Sequence, residues 1–442
     1  MVDADGFVVV ELVLPDAATG FVLADERHGV PRLPRLEFPG RHVPMNERLT
    51  DAFRAATGVS VRLVEPLDFT TAVLALGSPG PELPAGYGWH ALSGVARNST
   101  TVAEWAVRSG DARLPWFTPS WLGRAERYID DTLARLGRCR VAPTRQMKLW
   151  SMSSVLRAES DTGAVYLKAV LPQLAHEPLV TGFLAAQGVG DFAQIIAHSP
   201  QDHWWIAEDF GGVDGWSLPE TERRKALQQL CRLQLAMVGQ TAGLRRVGCP
   251  RISLPQLASV LPGLLARDDI WSAQSAPHNG HRALTPDERV RLLGLAPFLT
   301  ECCERLEALG VPDTLVHRDF HPGNVVLRDE GVLLHDWSFA AVAHPMFDLA
   351  PWLLDMTEPA ARAHVTAFVQ AWAASTAPDV LWRAWRHAKP LAAVIEMLKL
   401  VGLSDIVGRD YHFNWMPMTY GWARRLLTAA ADSEMEIWGW RQ

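Results

Sequence analysis

The stretch from Leu315 to Phe339 constrains the fold more than any other part of the chain. It predicts an apolar strand, an acidic loop, two apolar strands joined by a tight turn, and a second acid where the last strand ends. Asp319 and Asn324 lie in the loop, and Asp336 follows the last strand. Such an acid can orient a hydroxyl and accept its proton, and carboxylate and amide oxygens suit magnesium beside phosphates. The alternative is an ordinary hairpin with solvated polar residues.

Two motifs follow one another in this stretch. His317-Arg-Asp-Phe-His-Pro-Gly-Asn324 and then His335-Asp-Trp337 resemble the motifs of the aminoglycoside phosphotransferase and choline kinase family. Arg318 stands where that family usually has Gly. The resemblance implies an α+β, bilobal protein-kinase-like fold with a small β-rich N-lobe and a helical C-lobe. It also implies that Asp319 is catalytic and that Asn324 and Asp336 bind magnesium.

The segment after Asp336 is short. Only residues 337–347 separate it from Asp348, whereas protein kinases insert a long activation segment there. A polypeptide would have no platform to lie on, so the sequence favours a small-molecule acceptor. We expect His317, Arg318 and Asp348 to hold the loop in place and not to take part in the chemistry.

Bulk properties narrow the class of protein. A length of 442 residues predicts two or three domains, and a net charge of -7 argues against nucleic-acid binding and mildly for cationic ligands. The five cysteines include no Cys-x-x-Cys pair, which favours reduced thiols over disulfides or a zinc site. There is no basic leader and no apolar run of about 18 residues, so we expect a cytoplasmic protein with no membrane partner.

Residues 1–100 are predicted to form a small accessory α/β domain. Its clearest helix runs from Glu47 to Thr57, with Asn46 as the N-cap and Gly58 just past the end. The order of strands and helix resembles a Nudix fold, but alanines occupy the helix positions where that family has its magnesium-binding carboxylates. We therefore expect a degenerate domain that serves packing, homodimerisation or substrate delivery. An α+β domain of no identifiable family is the alternative.

Residues 101–140 are predicted to be a linker with a bridging helix, and residues 141–212 a kinase-like N-lobe that ends in a hinge. The N-lobe opens as strand, loop, strand, turn and strand. Its loop offers small residues to a nucleotide's phosphates, and a lysine follows in the third strand. The residues expected to bind the nucleotide here are Ser151, Ser153 and Ser154 in the loop, Lys168 in the strand, and Glu177 as the partner of Lys168.

The hinge is predicted from the family resemblance. Trp204-Trp-Ile-Ala-Glu-Asp-Phe-Gly-Gly212 reads as a strand that ends in a glycine pair. The resemblance implies that the carbonyl of Glu208 and the amide of Phe210 contact the base of the nucleotide. An edge strand ending in a turn would look the same in isolation.

Residues 213–442 are predicted to be a helical C-lobe that carries the catalytic loop and the acceptor pocket. The apolar periodicity predicts helices over 220–238, 287–309, 359–374, 381–400 and 415–431. Four acids on this region, Asp355, Glu396, Asp405 and Asp410, are candidates to line the acceptor pocket. Helix acids are most often solvated, so we leave them outside the predicted site.

The sequence thus predicts a small-molecule kinase that uses ATP or GTP and Mg²⁺. Its acceptor would be a hydroxyl of a metabolite or antibiotic of aminoglycoside, sugar or amino-alcohol type. The alternative is a pseudokinase-like module that binds a nucleotide and regulates a partner through the N-terminal domain.

Overall fold

The computed structural model describes residues 7–15, 21–39, 46–68, 70–76, 83–95, 102, 105–106, 114–271, 282–329, 331–354, 356–408, 411 and 415–439. Strands dominate the first half and helices the second, which confirms the predicted α+β class. The chain divides into two compact units. The first contains residues 1–171, 196–209 and 404–414, and the second contains residues 172–195, 210–403 and 415–442.

The first unit is rich in β-structure. Its helices are α1 (Glu47–Thr57), α2 (Leu92–Val95) and α3 (Pro119–Arg135). Its strands are β1 (Phe7–Val13), β2 (Phe21–Asp25), β3 (Arg35–Pro39), β4 (Val61–Pro66), β5 (Thr71–Leu76), β6 (Tyr87–Ala91), β7 (Arg145–Leu149), β8 (Ser153–Ser160), β9 (Gly163–Val170), β10 (Ile195–Ser199, assigned to this unit from Ile196 onward) and β11 (Trp204–Glu208).

Two larger sheets form in this unit. One has the order β3-β1-β5-β4, with β1 and β5 parallel, and the other has the order β10-β11-β9-β8-β7. The side-chain amide of Gln146 on β7 joins them: it accepts from the backbone N–H of Leu63 at 2.9 Å and donates to the carbonyl of the same residue at 2.8 Å. The side chain of Gln146 thus satisfies the backbone groups of Leu63 at a point where the pairing register of both β4 and β7 shifts.

Helix α1 forms as its end signals predict. The side chain of Asn46 accepts a hydrogen bond from the backbone N–H of Arg48, and Gly58 ends the helix at φ +73°. Only glycine adopts such a left-handed conformation without strain. Leu49 and Phe53 bury the apolar face of the helix.

The second unit is mostly helical. Its helices are α4 (Glu177–Ala186), α5 (Glu220–Met237), α6 (Thr241–Arg246), α7 (Leu254–Leu265), α8 (Asp268–Trp271), α9 (Pro286–Gly294), α10 (Ala296–Ala308), α11 (Leu349–Trp352), α12 (Glu358–Trp372), α13 (Pro378–Val407, assigned to this unit as far as Leu403) and α14 (Met416–Gly439). Its strands are β12 (Val213–Asp214), β13 (Thr314–Val316), β14 (Val325–Arg328), β15 (Gly331–Leu334) and β16 (Ala341–Ala343). They pair as β12-β14-β15 and β13-β16.

One predicted helix is divided in two. The sequence predicts a continuous helix over 287–309, but α9 ends at Gly294 and α10 begins at Ala296. Pro297 explains the break, because it has no N–H to donate to the carbonyl four residues earlier and its ring crowds that carbonyl. The prediction of one helix is therefore wrong at this point.

Candidate active site

The loop that carries Asp319 is fixed from behind by a buried carboxylate. Asp348 accepts hydrogen bonds from the backbone N–H of His317 at 2.9 Å and of Arg318 at 2.7 Å. The side-chain amide of Gln234 donates to the same carboxylate at 3.0 Å. These bonds confirm the prediction that Asp348 anchors the loop.

His317 and Arg318 shape the loop. The Nε2 atom of His317 lies 2.9 Å from the carbonyl oxygen of His335, which ties the loop to the end of β15. Burial lowers the pKa of His317 to about 4, so the imidazole is neutral at pH 7 and donates from Nε2 to that carbonyl. Arg318 has φ +60°, a conformation that favours glycine and costs other residues about 1–2 kcal/mol. This backbone conformation explains why glycine suits the position.

Asp319 lies at the open side of the loop. Its side chain is 23% exposed, so a small molecule can reach the carboxylate. Asn324 donates from Nδ2 to Oδ2 of Asp319 at 3.1 Å and to its carbonyl oxygen at 2.8 Å. The Nε2 atom of His321 lies 3.5 Å from the same Oδ2. The structure therefore brings Asp319 and Asn324 together, as their spacing predicts.

A buried ion pair that the sequence analysis missed completes the surroundings of Asp319. Lys399 on α13 places Nζ 2.8 Å from Oδ1 of Asp319 and 2.6 Å from Oε2 of Glu396. The side chains of Lys399 and Glu396 are 6% and 3% exposed. Glu396 was a candidate to line the acceptor pocket. In the structure it is buried behind the loop and pairs with Lys399. The sequence feature that indicates this buried ion pair is two opposite charges three residues apart, Glu396 and Lys399, inside the strongly apolar run 391–403.

These charges set the ionisation of Asp319. Burial alone would raise its pKa, but the Lys399 ammonium, helped by His321, holds the pKa of Asp319 well below its usual value. Burial raises the pKa of Glu396 against the opposing effect of Lys399. The two carboxylates raise the pKa of Lys399 above its usual value although burial opposes them. Asp319 is therefore an ionised, fixed acceptor of hydrogen bonds.

Asn324 and Asp336 offer oxygen ligands of the kind that magnesium prefers. Because Nδ2 of Asn324 is committed to Asp319, the atom left for a cation is its amide oxygen. Asp336 has φ +63° and a half-buried side chain directly after β15. The two residues therefore fit a magnesium ion by chemistry. No group of three or more His, Cys, Asp or Glu that could hold a metal occurs among the residues that the structure describes.

The segment that follows Asp336 is buried. Every residue from Trp337 to Leu349 is buried, first as a 3₁₀ turn and then as β16 and a second 3₁₀ turn. Within it the hydroxyl of Ser338 donates to Oε2 of Glu177 at 2.5 Å. Glu177, the predicted partner of Lys168, is thus hydrogen-bonded to the segment that directly follows Asp336.

The remaining predicted nucleotide contacts lie mostly in the first unit. Lys168 is half-buried on β9, and its Nζ lies 5.4 Å from the ring centroid of Trp205. Lys168 and Glu177 belong to different units, and their pairing stays a prediction. Ser151, Ser153 and Ser154 are all buried residues, and their contacts to the phosphates stay a prediction.

The two predicted hinge residues have partners of their own. The carboxylate of Glu208 pairs with the guanidinium of Arg138 at 2.6 Å, and the ring of Phe210 lies 5.0 Å from that of His335. Their backbone contacts to a base stay a prediction. The acids Asp355 and Asp410 lie outside the described residues.

Comparisons with known proteins identify the family of the chain. Residues 150–391, more than half of the chain, match the APH family, described as the phosphotransferase enzyme family. The chain belongs to this family. The match confirms the predicted family, the predicted protein-kinase-like fold and the predicted enzyme class, a phosphotransferase with an alcohol group as acceptor. The matched range begins at residue 150, so the Nudix resemblance of residues 1–100 stays a prediction.

Several solved structures are similar to the chain at low sequence identity. Macrolide 2'-phosphotransferase type I has 13% identity and a TM-score of 0.49 over 68% of this chain and 97% of that chain. A choline kinase from Cryptosporidium parvum Iowa II has 11% identity and a TM-score of 0.47 over 67% and 89%. The GDP and kanamycin complex of APH(2")-IIia has 12% identity and a TM-score of 0.45 over 70% and 99%. No curated protein sequence matches the chain. Among the described residues, no helix is both long and apolar enough to cross a membrane.

Proposed function

We propose that this phosphotransferase moves the γ-phosphoryl group of ATP or GTP to a hydroxyl of a small molecule, with Mg²⁺ bound at the site. The observation that carries the proposal is the carboxylate of Asp319, which is ionised, partly exposed and fixed by Lys399 and Asn324. Such a group can hold an attacking hydroxyl in line with the phosphorus.

The other predicted residues have separate roles in this proposal. Lys168, with the Ser151, Ser153 and Ser154 loop, contacts the phosphates, and Glu177 orients Lys168. The backbone of Glu208 and Phe210 contacts the base. Asn324 and Asp336 would hold magnesium, which, when bound, neutralises charge on the phosphate oxygens.

The proposed transfer needs no reactant besides the nucleotide and the acceptor. The acceptor oxygen forms a bond to the γ-phosphorus, and the bond from that phosphorus to the bridging oxygen breaks. The nucleoside diphosphate leaves, and the hydroxyl proton passes to the carboxylate of Asp319. Because Lys399 holds the pKa of Asp319 well below its usual value, the carboxylate is a weak base. We infer that it orients the hydroxyl first and receives the proton late, as a loose transition state allows.

The burial of the segment after Asp336 supports a small acceptor. Residues 337–349 are all buried and offer no exposed surface on which a polypeptide could lie. We propose a hydroxylated metabolite or antibiotic of the aminoglycoside, sugar or amino-alcohol type. The net charge of -7 supports a cationic acceptor. A cytoplasmic location and a homodimer through residues 1–100 stay predictions.

Transfer of label from γ-labelled ATP or GTP tests the proposal. The labelled nucleotide and magnesium are incubated with pooled hydroxylated metabolites and antibiotics, beside the Asp319→Asn protein. Label in a small-molecule product, absent with the variant, is the expected result and identifies the acceptor. Magnesium-dependent nucleotide binding without any product would favour the pseudokinase alternative. A protein that binds no nucleotide would refute the proposal.

A further inference from the structure

The side chain of Lys399 makes three contacts, and together they use all three of its protons. Its Nζ lies 2.8 Å from Oδ1 of Asp319, 2.9 Å from the carbonyl oxygen of Arg318 and 2.6 Å from Oε2 of Glu396. An ammonium group has three N–H donors and no acceptor. Lys399 is therefore saturated by protein atoms and has no proton left with which to grip a phosphate.

The contacts fix the carboxylate of Asp319 at both oxygens. Lys399 holds Oδ1, while Asn324 donates to Oδ2 at 3.1 Å and His321 lies 3.5 Å from that atom. Rotation of the carboxylate about its Cβ–Cγ bond would break contacts at both ends. Lys399 also holds the carbonyl of the preceding residue, Arg318, so it fixes the backbone and the side chain together.

Burial separates the roles of the three charged groups. The side chain of Asp319 is 23% exposed, whereas those of Lys399 and Glu396 are 6% and 3% exposed. Only the first group is accessible to an acceptor, and the other two support it from the protein interior. The ring of Phe339, three residues after Asp336, lies 5.0 Å from Nζ and covers the ammonium.

We propose that Lys399 is a positioning residue for Asp319 and that Glu396 holds Lys399 in place. The inference rests on the proposed phosphoryl transfer. Both residues come from helix α13, far along the chain from the catalytic loop, so the orientation of the attacking hydroxyl depends on how this helix packs. A displacement of about 1 Å in such a group can cost about 100-fold in rate.

Kinetics of single and double variants test the inference. We expect Lys399→Met to lower kcat about 100-fold while the KM for ATP changes less than about threefold, because protein atoms already use all three N–H donors of the lysine. Lys399→Arg should recover part of the rate. In the Asp319→Asn background, Lys399→Met should lower kcat by less than about threefold more, because the group that it positions is already impaired. Lys225→Met, at an exposed site on α5, is the control and should leave kcat unchanged.

Two outcomes would overturn the inference. One is a full additional loss when Lys399→Met is combined with Asp319→Asn, which would indicate a general structural role. The other is a raised KM for ATP with kcat unchanged, which would indicate nucleotide binding. If Lys399→Met does not fold, Glu396→Gln replaces it, since it keeps the shape and weakens only the support of Lys399. A smaller loss of kcat, again absent in the Asp319→Asn background, is then expected, and an additive loss contradicts the inference.

A failure of the proposed function would look different. A wild-type protein that transfers no label to any acceptor refutes the phosphoryl-transfer proposal, and the positioning role falls with it. The urea midpoints of Lys399→Met, Asp319→Asn and the double variant still show whether the ion pair exists. Non-additive shifts of the midpoint confirm the pair without any activity measurement.

Discussion

The hydroxyl of Ser338 donates a 2.5 Å hydrogen bond to the carboxylate of Glu177, across 161 residues of sequence. Both side chains are buried, at 3% and 6% exposure. Glu177 opens helix α4, and Ser338 lies two residues after Asp336. The bond therefore ties the helix to the segment from which Asp336 projects.

Removing this hydroxyl should weaken both the fold and the site. We expect Ser338→Ala to lower the free energy of unfolding by about 1–3 kcal/mol, because a buried carboxylate loses a donor. Transfer of label should slow about tenfold as Asp336 becomes less fixed. Urea unfolding and the label-transfer assay measure the two effects. Ser259→Ala, at an exposed position on α7, is the control. An unchanged unfolding midpoint in Ser338→Ala would contradict the assigned bond.

Magnesium dependence should change at two positions in different ways. We expect Asp336→Ala to abolish magnesium-dependent transfer, because it removes the only charged ligand that we propose. Asn324→Ala removes a neutral ligand and a donor to Asp319, so it should raise the magnesium concentration for half-maximal rate and lower kcat. Rates measured over a magnesium series separate the two. Unaltered magnesium dependence in both variants would show that the ion binds elsewhere.

A close backbone approach to the loop that carries Asp319 should make one glycine difficult to replace. A Cβ atom on Gly215 would lie 2.1 Å from the carbonyl oxygen of Pro322, which precedes Asn324 in the loop. Gly215→Ala should therefore push the loop aside, lower stability by about 1–3 kcal/mol and slow transfer. Gly263→Ala, at an exposed position in α7 with nothing within 4 Å, is the matched control and should stabilise by up to about 1 kcal/mol. Equal behaviour of the two variants would contradict the prediction.

One ion pair should give the stability a defined pH dependence. Arg424 on α14 hydrogen-bonds Glu288 at 2.8 and 3.0 Å and holds the pKa of that carboxylate at about 2, below its ordinary value of 4.5. A lowered folded-state pKa adds stability above pH 4.5, and this contribution is lost as the pH falls toward 2.

Urea unfolding of Glu288→Gln over a pH series measures this contribution. The variant should be about 1–3 kcal/mol less stable than the wild type at pH 6, and the difference should shrink between pH 4.5 and 2. Asp287→Asn makes the same change at an exposed neighbouring position and serves as the control. A difference that stays constant down to pH 2 would contradict the pairing.

The loop that carries Asp319 could be predicted from the sequence because its determinants are contiguous. Strands, turn and acids from Leu315 to Asp336 follow one another, and a short motif specifies their geometry. The ends of α1 were also predictable, since Asn46 and Gly58 act on adjacent backbone groups. The contact between Lys399 and Asp319 could not be predicted, because it spans 80 residues and depends on how α13 packs. Glu396 was noticed as an acid, but the sequence could not show that it is buried against that lysine.

Two other features of the fold show the same difference between local and distant determinants. The break at Leu295 follows from Pro297, a local signal that the apolar periodicity of 287–309 concealed. The bond between Gln146 and Leu63 has no local signal at all, because it joins two sheets through one side chain.

The burial of residues 337–349 has a consequence for how the enzyme can be controlled. Ser338 is the only hydroxyl-bearing residue between Asp336 and Asp348, and it is buried and bonded to Glu177. A modifying enzyme could not reach it without local unfolding. Covalent modification of a hydroxyl in this segment therefore cannot regulate the folded protein. Any covalent modification that controls the folded enzyme would have to act on residues outside 337–349.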